Sequence, residues 1–170
     1  MRKEIKEEIV ASIQDFRLPR YQEIPDVGLY LEQVAVYISE HLAPLENITL
    51  TGSMISNYVK KGLLKSPVKK QYDRDQVAYL FFIAIAKSVI SMEDIRLLFE
   101  LQKKTYEPQR AYDYFCMEFE NILQHVFGIK EQLDVIGVDD TDEKEMLRNT
   151  IITVAHKVYL DKYFARITEM

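Results

Sequence analysis

Breakers of regular structure are scarce and evenly spread in this chain, five glycines and five prolines in 170 residues. That is well below the usual frequencies of about 7% and 5%. A turn-rich all-β fold needs many more of them. The stretches between breakers repeat apolar residues at helical spacing, so the chain is predicted to be all-α. Its length fits one domain, or one domain with an extension, and is enough to bury a real core. With 48% apolar and 29% charged residues, disorder and collagen-like structure are excluded.

One cysteine, Cys116, leaves no intramolecular disulfide and no CxxC zinc or redox motif. The expected compartment is the reducing cytoplasm. The opening residues Met1 to Glu8 contain no apolar core of a signal peptide. The longest near-apolar run, Ala78 to Ala86, falls short of the roughly 20 residues that span a bilayer. No membrane partner is expected.

Ile5, Ile9, Val10 and Ile13 form the apolar stripe of a short helix over 2–15. Leu18-Pro19 and Ile24-Pro25 bracket an extended stretch, because proline pushes the preceding residue out of the α region. Asp26 reads as the N-cap of a helix running to Leu42, with Leu29, Val34, Ile38 and Leu42 inward. A short helix follows from Thr51 or Ser53 to Lys61, stopped by Gly62. Residues 65–72 suit a small β-hairpin. Asp73 or Asp75 caps an apolar helix, Gln76 to about Ile90, and Ser91 opens another over 92–104. Pro108 starts an aromatic-rich helix with Phe115, Phe119, Ile122 and Val126 inward. The last helix begins at Asp140–Glu143 and carries Leu147, Ile151, Val154 and Val158.

Catalytic signatures are missing. His41, His125 and His156 share no ligand-type spacing, and there is no HExxH, GxxxxGK or GxGxxG. Cys116 sits in Tyr114-Phe-Cys-Met117 on an apolar helix and reads as a buried, inert thiol. The acidic run Asp139, Asp140, Asp142, Glu143, Glu145 lacks the glycine of a calcium loop and suits a helix N-terminus on dipole grounds. Tyr106, Tyr112 and Tyr114 fit core and interface filling better than a ligand pocket. No enzyme, no cofactor and no metal are expected.

Charge distribution is more informative than its sum. The chain is −5 overall, yet Leu50–Tyr72 contains no Asp or Glu and five lysines, 60, 61, 65, 69 and 70. A +5 segment in an otherwise acidic chain points to a partner. On a helix over 53–61, Ser53, Ser56, Asn57 and Lys60 share one face at i, i+3, i+4, i+7. Met54, Ile55, Tyr58 and Val59 supply the core side. Polar side chains on such a face can read base edges in a major groove. Lys61, Lys65, Lys69 and Lys70 can reach phosphates. Against this stands a solvated lysine-rich turn on a helical domain that binds only protein.

Thr51-Gly-Ser-Met-Ile-Ser-Asn-Tyr-Val-Lys-Lys-Gly-Leu-Leu64, Lys70-Gln-Tyr72, Leu80, Ile83 and Ser91-Met-Glu-Asp-Ile95 resemble the winged helix-turn-helix of MerR-type regulators. That family carries a recognition helix ending in Tyr-x-x-x-Gly-Leu-Leu and a wing closing on Arg-x-Tyr. Tyr58, Gly62, Leu63, Leu64 and Tyr72 fall in register. Lys70 stands where the wing arginine would be, Ser56 replaces an arginine, and Val89-Ile90 replaces a glycine-containing turn. With Tyr21-Gln-Glu-Ile-Pro-Asp26 added, residues 18–102 resemble a bacterial family of unknown function, number eighteen thirty-six, itself MerR-like.

The resemblance implies an all-α protein: an N-terminal helix and linker over 1–25, a winged helix-turn-helix DNA-binding domain with a small hairpin wing over 26–102, and a helical dimerisation or effector extension over 106–170. The expected partner is double-stranded DNA, bound as a homodimer by Ser53, Ser56, Asn57, Lys60, Lys61, Lys65, Lys69 and Lys70. The effector's chemistry is not legible. The alternative is an all-α protein-interaction module that keeps the winged-helix shape without DNA contact.

Overall fold

The computed structural model describes residues 2–137 and 140–170. Among them the elements run α1 (Arg2–Ile13), β1 (Leu29–Tyr30), α2 (Leu31–Leu42), α3 (Gly52–Lys60), β2 (Gln71–Tyr72), α4 (Arg74–Ala86), α5 (Met92–Thr105), α6 (Pro108–Val126) and α7 (Asp142–Thr168). The fold is therefore mostly helical, with one small antiparallel sheet.

Side-chain caps start the helices where the sequence puts them. Asp73 accepts from the Gln76 amide while the Gln76 side chain accepts from the Asp73 amide, both at 2.8 Å, a closed capping box on α4. Thr51, Ser91 and Thr141 accept from the third amide of α3, α5 and α7. Asp142, Glu143 and Glu145 occupy the first turn of α7, where the helix dipole favours negative charge. Asp139 lies outside the described residues.

One hydrophobic core runs from Ile5 to Val158. Its axis is α4, where every residue from Gln76 to Ala86 except Tyr79 is buried. Tyr58, Leu63, Leu80, Ile83 and Ile95 are buried together, with Leu98 half-buried against them. Phe82, Phe115, Phe119 and Phe16 form a chain of ring contacts at 5.2–5.8 Å. Such contacts add to the burial of each ring. Helix α7 packs on α6 and also touches α1, α5 and α4. Tyr112, Phe115 and Phe119 of α6 are buried within the chain itself. Exposed apolar residues on α7 are Met146 near its start and a stripe of Leu160, Phe164 and Ile167 in its C-terminal half.

Two expected boundaries move. Asp26 does not cap a helix: it is exposed, 3.9 Å from the Arg74 guanidinium. Gly28, at φ +75°, turns the chain into β1, and α2 begins five residues after Asp26. Tyr30 takes the N-cap position, its amide donating to the Gln33 side chain at 2.9 Å. The strand at Gln71–Tyr72 pairs with Leu29–Tyr30, so the 65–72 hairpin contributes only a single bridge, Val68 to Gln71. In both cases pairing between distant segments overrides a local signal. Helix α4 also ends at Ala86, short of Ile90, where the Lys87 amide closes the last turn.

A buried lysine is the least expected core feature. Lys162 of α7 donates to the Pro44 carbonyl at 2.6 Å and Ser12 Oγ at 2.9 Å, and pairs with Glu46 at 3.0 Å. Arg166 grips the same Glu46 carboxylate through both terminal nitrogens, the geometry that suits a guanidinium. Burial lowers the Lys162 pKa against the opposing pull of Glu46. Glu46 itself sits at φ +69°, just ahead of the segment leading into α3.

Candidate nucleic-acid interface

Helix α3 is built by its inner face. Ile55 and Tyr58 are buried, and Met54 and Val59 half-buried. The opposite face carries Ser53, Ser56, Asn57 and Lys60, all exposed. The fold therefore brings these four residues together as their spacing requires. At the other end Gly62 adopts φ +74°, a conformation that costs a side-chain-bearing residue dearly. The Leu63 amide bonds to the Tyr58 carbonyl at 2.9 Å and the Gly62 amide to that of Val59 at 3.0 Å. This is a complete Schellman stop, with Leu63 folded back into the core. Lys61 stands exposed at the cap.

The 65–72 segment continues directly from that stop. Gln76 anchors its base, donating to the carbonyls of Lys65 and Ser66 at 3.0 and 3.3 Å. Its tip is a two-residue turn in which Lys69 and Lys70 both take positive φ, 51° and 64°. The Gln71 amide closes it on the Val68 carbonyl at 2.9 Å. Turns of this shape normally use Asn-Gly. A bulky residue held there stores about 1–2 kcal/mol of strain. Lys65, Lys69 and Lys70 are exposed.

Three groups absent from the sequence reading shape this face. Arg96 of α5 donates to the carbonyls of Lys61 and Gly62, which fixes the C-terminus of α3. Lys87 reaches the Thr49 carbonyl at 2.8 Å and lies 5.9 Å from the centre of the Tyr58 ring, holding the approach to α3. Burial pushes its pKa down. The Glu32 carboxylate crowds the first turn of α3, 2.7 Å from where a Cβ on Gly52 would lie. It sets a negative charge at the end of α3 away from the lysines. Arg96 and Lys87 are separated from α3 by more than twenty residues, so no local pattern marks them.

Cys116 is fully buried, its thiol pushed up to about 12 by burial, and it donates to the Pro19 carbonyl. It is unsuited to nucleophilic work. Among the described residues no helix is long and apolar enough to cross a membrane.

No curated protein and no solved structure matches the chain. A family does. Residues 19–115, from the Pro19 carbonyl that Tyr112 grips through α2, α3, the 65–72 hairpin, α4 and α5 into α6, match the Domain of unknown function (DUF1836), more than half of the chain, and the chain belongs to that family.

Proposed function

We propose that this protein is a DNA-binding transcription regulator of MerR-like, winged helix-turn-helix type. In this reading α3 is the recognition helix and 65–72 the wing. The observation that carries it is the shared exposure of Ser53, Ser56, Asn57 and Lys60 on α3 beside the strained lysine tip of the wing. Lysines 60, 61, 65, 69 and 70 contact phosphate and position the protein. Ser53, Ser56 and Asn57 meet base edges. No residue has a catalytic role.

A single module with five lysines binds weakly, and a two-fold site read by a dimer supplies the rest. The exposed stripe Leu160, Phe164 and Ile167, at i, i+4, i+7 on α7, supports a helix-to-helix dimer seam.

Selection of bound fragments from random duplex DNA, followed by a salt titration, tests the reading. Log affinity falls with log salt at about −0.9 per phosphate contact. A dimer using Lys60, Lys61, Lys69 and Lys70 twice gives a slope of roughly −4 to −7. Absence of any duplex binding in low salt overturns it.

The alternative, a protein-interaction module of the same shape, draws on one observation. Val68 and Tyr30 flank Gln71 across the small sheet and are 75% and 52% exposed, a modest apolar patch at the wing. Capture of a protein partner abolished by Val68→Glu, with no duplex bound, favours it.

A further inference from the structure

Between α4, α5, α6 and α7 lies a cavity of about 570 Å³, within the range of small-molecule sites. It is distinct from the α3 face and does not depend on the DNA reading. Phe82, Phe99 and Phe115 line it and are buried, with the Phe82 ring 5.7 Å from that of Phe99 and 5.2 Å from that of Phe115. Leu98, Ile136 and Leu147 also line it, yet stay half-buried. Each of them gains by leaving water, and apolar surface gathered in one hollow marks a place for a ligand.

The polar side chains of the lining are engaged within the chain. Gln102 accepts from the Tyr79 hydroxyl at 2.9 Å and donates to the Tyr106 carbonyl at 2.6 Å. The Tyr106 hydroxyl bonds that of Thr141 at 2.9 Å, and Tyr112 donates to the Pro19 carbonyl at 2.7 Å. Glu143 accepts from the Thr105 hydroxyl at 3.1 Å, and Asp113 from the Tyr21 amide at 2.8 Å. The Tyr114 hydroxyl is closed off from solvent. Lys144 Nζ lies 5.1 Å from the centre of the Tyr114 ring, and the Arg110 guanidinium 5.2 Å from that of Tyr106, which sets each cation on an aromatic face. Glu107 and Gln109 are exposed. An ion entering this hollow gives up water for a largely apolar wall, a costly exchange; an uncharged ligand loses nothing comparable.

We infer that this cavity binds an uncharged aromatic ring compound, held by apolar contact with Phe82, Leu98, Phe99 and Leu147. Rings dominate the buried part of the wall, and a ring ligand adds edge or offset contacts that a saturated one cannot make. Tyr106, Tyr112 and Tyr114 all line the cavity, although their helical spacing alone reads as core.

Titration of the full chain, its Leu, Ile and Val methyls labelled for NMR, tests the assignment. The probes are 2-naphthalenemethanol, 2-naphthoate and 2-naphthylmethylammonium, one ring system bearing a neutral, an anionic or a cationic group, and the saturated decahydro analogue of the alcohol. The alcohol shifts the Leu98, Ile136 and Leu147 methyls and leaves those of Val68 and Leu160, exposed elsewhere, in place. Both ions bind at least about tenfold more weakly, as loss of hydration without a new partner requires, and the saturated alcohol is also weaker. Ala111→Trp, which fills the cavity from half-exposed α6, abolishes binding; if that variant fails to fold, the methyl map of the parent chain decides. The inference is overturned if the alcohol leaves the three cavity methyls unmoved up to its solubility limit, or if either ion or the saturated analogue binds as tightly. It is overturned too if those methyls shift with protein concentration in the absence of probe, which assigns the cavity to a second copy of the chain.

Discussion

The Arg96 guanidinium of α5 donates to the Lys61 carbonyl at 2.8 Å, and to that of Gly62 at 3.1 Å. It joins α5 to the last turn of α3 and places a cation where the helix dipole is negative. Arg96→Ala costs about 1 kcal/mol of stability. It also raises hydrogen exchange at the Lys61 to Leu63 amides before the rest of the chain. Urea unfolding with exchange mass spectrometry measures both. Arg96→Lys, which restores charge but not the fork, recovers only part.

Strain at the hairpin tip sets stability against binding. Lys70→Gly, at φ +64°, raises unfolding free energy by about 1 kcal/mol through relief of the left-handed conformation. The same change weakens binding to every duplex and flattens the salt slope by about one contact per protomer. A variant that neither gains stability nor loses DNA affinity breaks the link between strain and function.

Substitutions on α3 separate sequence reading from affinity. Ser56→Ala and Asn57→Ala shift which duplexes are preferred, each by about 1–3 kcal/mol at the base pair concerned. Lys69→Ala with Lys70→Ala lowers binding to all sequences alike. Glu32→Gln removes the carboxylate beside Gly52 and tightens binding by about threefold at low salt, as loss of one repelled charge requires. Competition binding with randomised duplexes distinguishes these outcomes.

The Glu46 carboxyl is one source of acid sensitivity. Arg166, and then Lys162, hold its carboxyl at about 2, below the ordinary 4.5. A carboxyl lowered in the folded state contributes stability above the unfolded pKa, and that contribution disappears as pH falls from about 5 toward 2. Solvent screening at this partly exposed site limits it to about 1–2 kcal/mol. Glu46→Gln is therefore less stable at pH 7 and nearly equal to the parent at pH 2.5. Urea midpoints across that range check the sign.

The α7 stripe is the proposed dimer seam. Phe164 is 58% exposed, so Phe164→Glu leaves the monomer core intact and its melting temperature within about 1–2 °C. It converts a dimeric mass to a monomeric one in light scattering. A chain that is already monomeric at working concentration removes the dimer from the proposed function.

Local chemistry decided much of this protein, and the sequence carried it openly. Thr51, Asp73, Ser91 and Thr141 each bond an amide three residues on, and Gly62 closes α3 within five residues. Such interactions need no information from elsewhere in the chain. The helical stripes, the burial of Tyr58 and Leu80, the exposed Ser53–Lys60 face and the inert Cys116 follow from spacing alone. Tertiary structure decided what distance separates. Leu29–Tyr30 became a strand because Gln71–Tyr72 lies beside it, and the helix expected from Asp26 gave way. Lys162 is buried because Ser12, Pro44 and Glu46 converge on its ammonium. The cavity lined by Phe82, Leu98, Phe99 and Leu147 exists because α4, α5, α6 and α7 meet without filling the space between them. Sequence spacing registers neighbours within a turn or two, whereas these features depend on which faces pack together, and that is fixed only when the whole core closes.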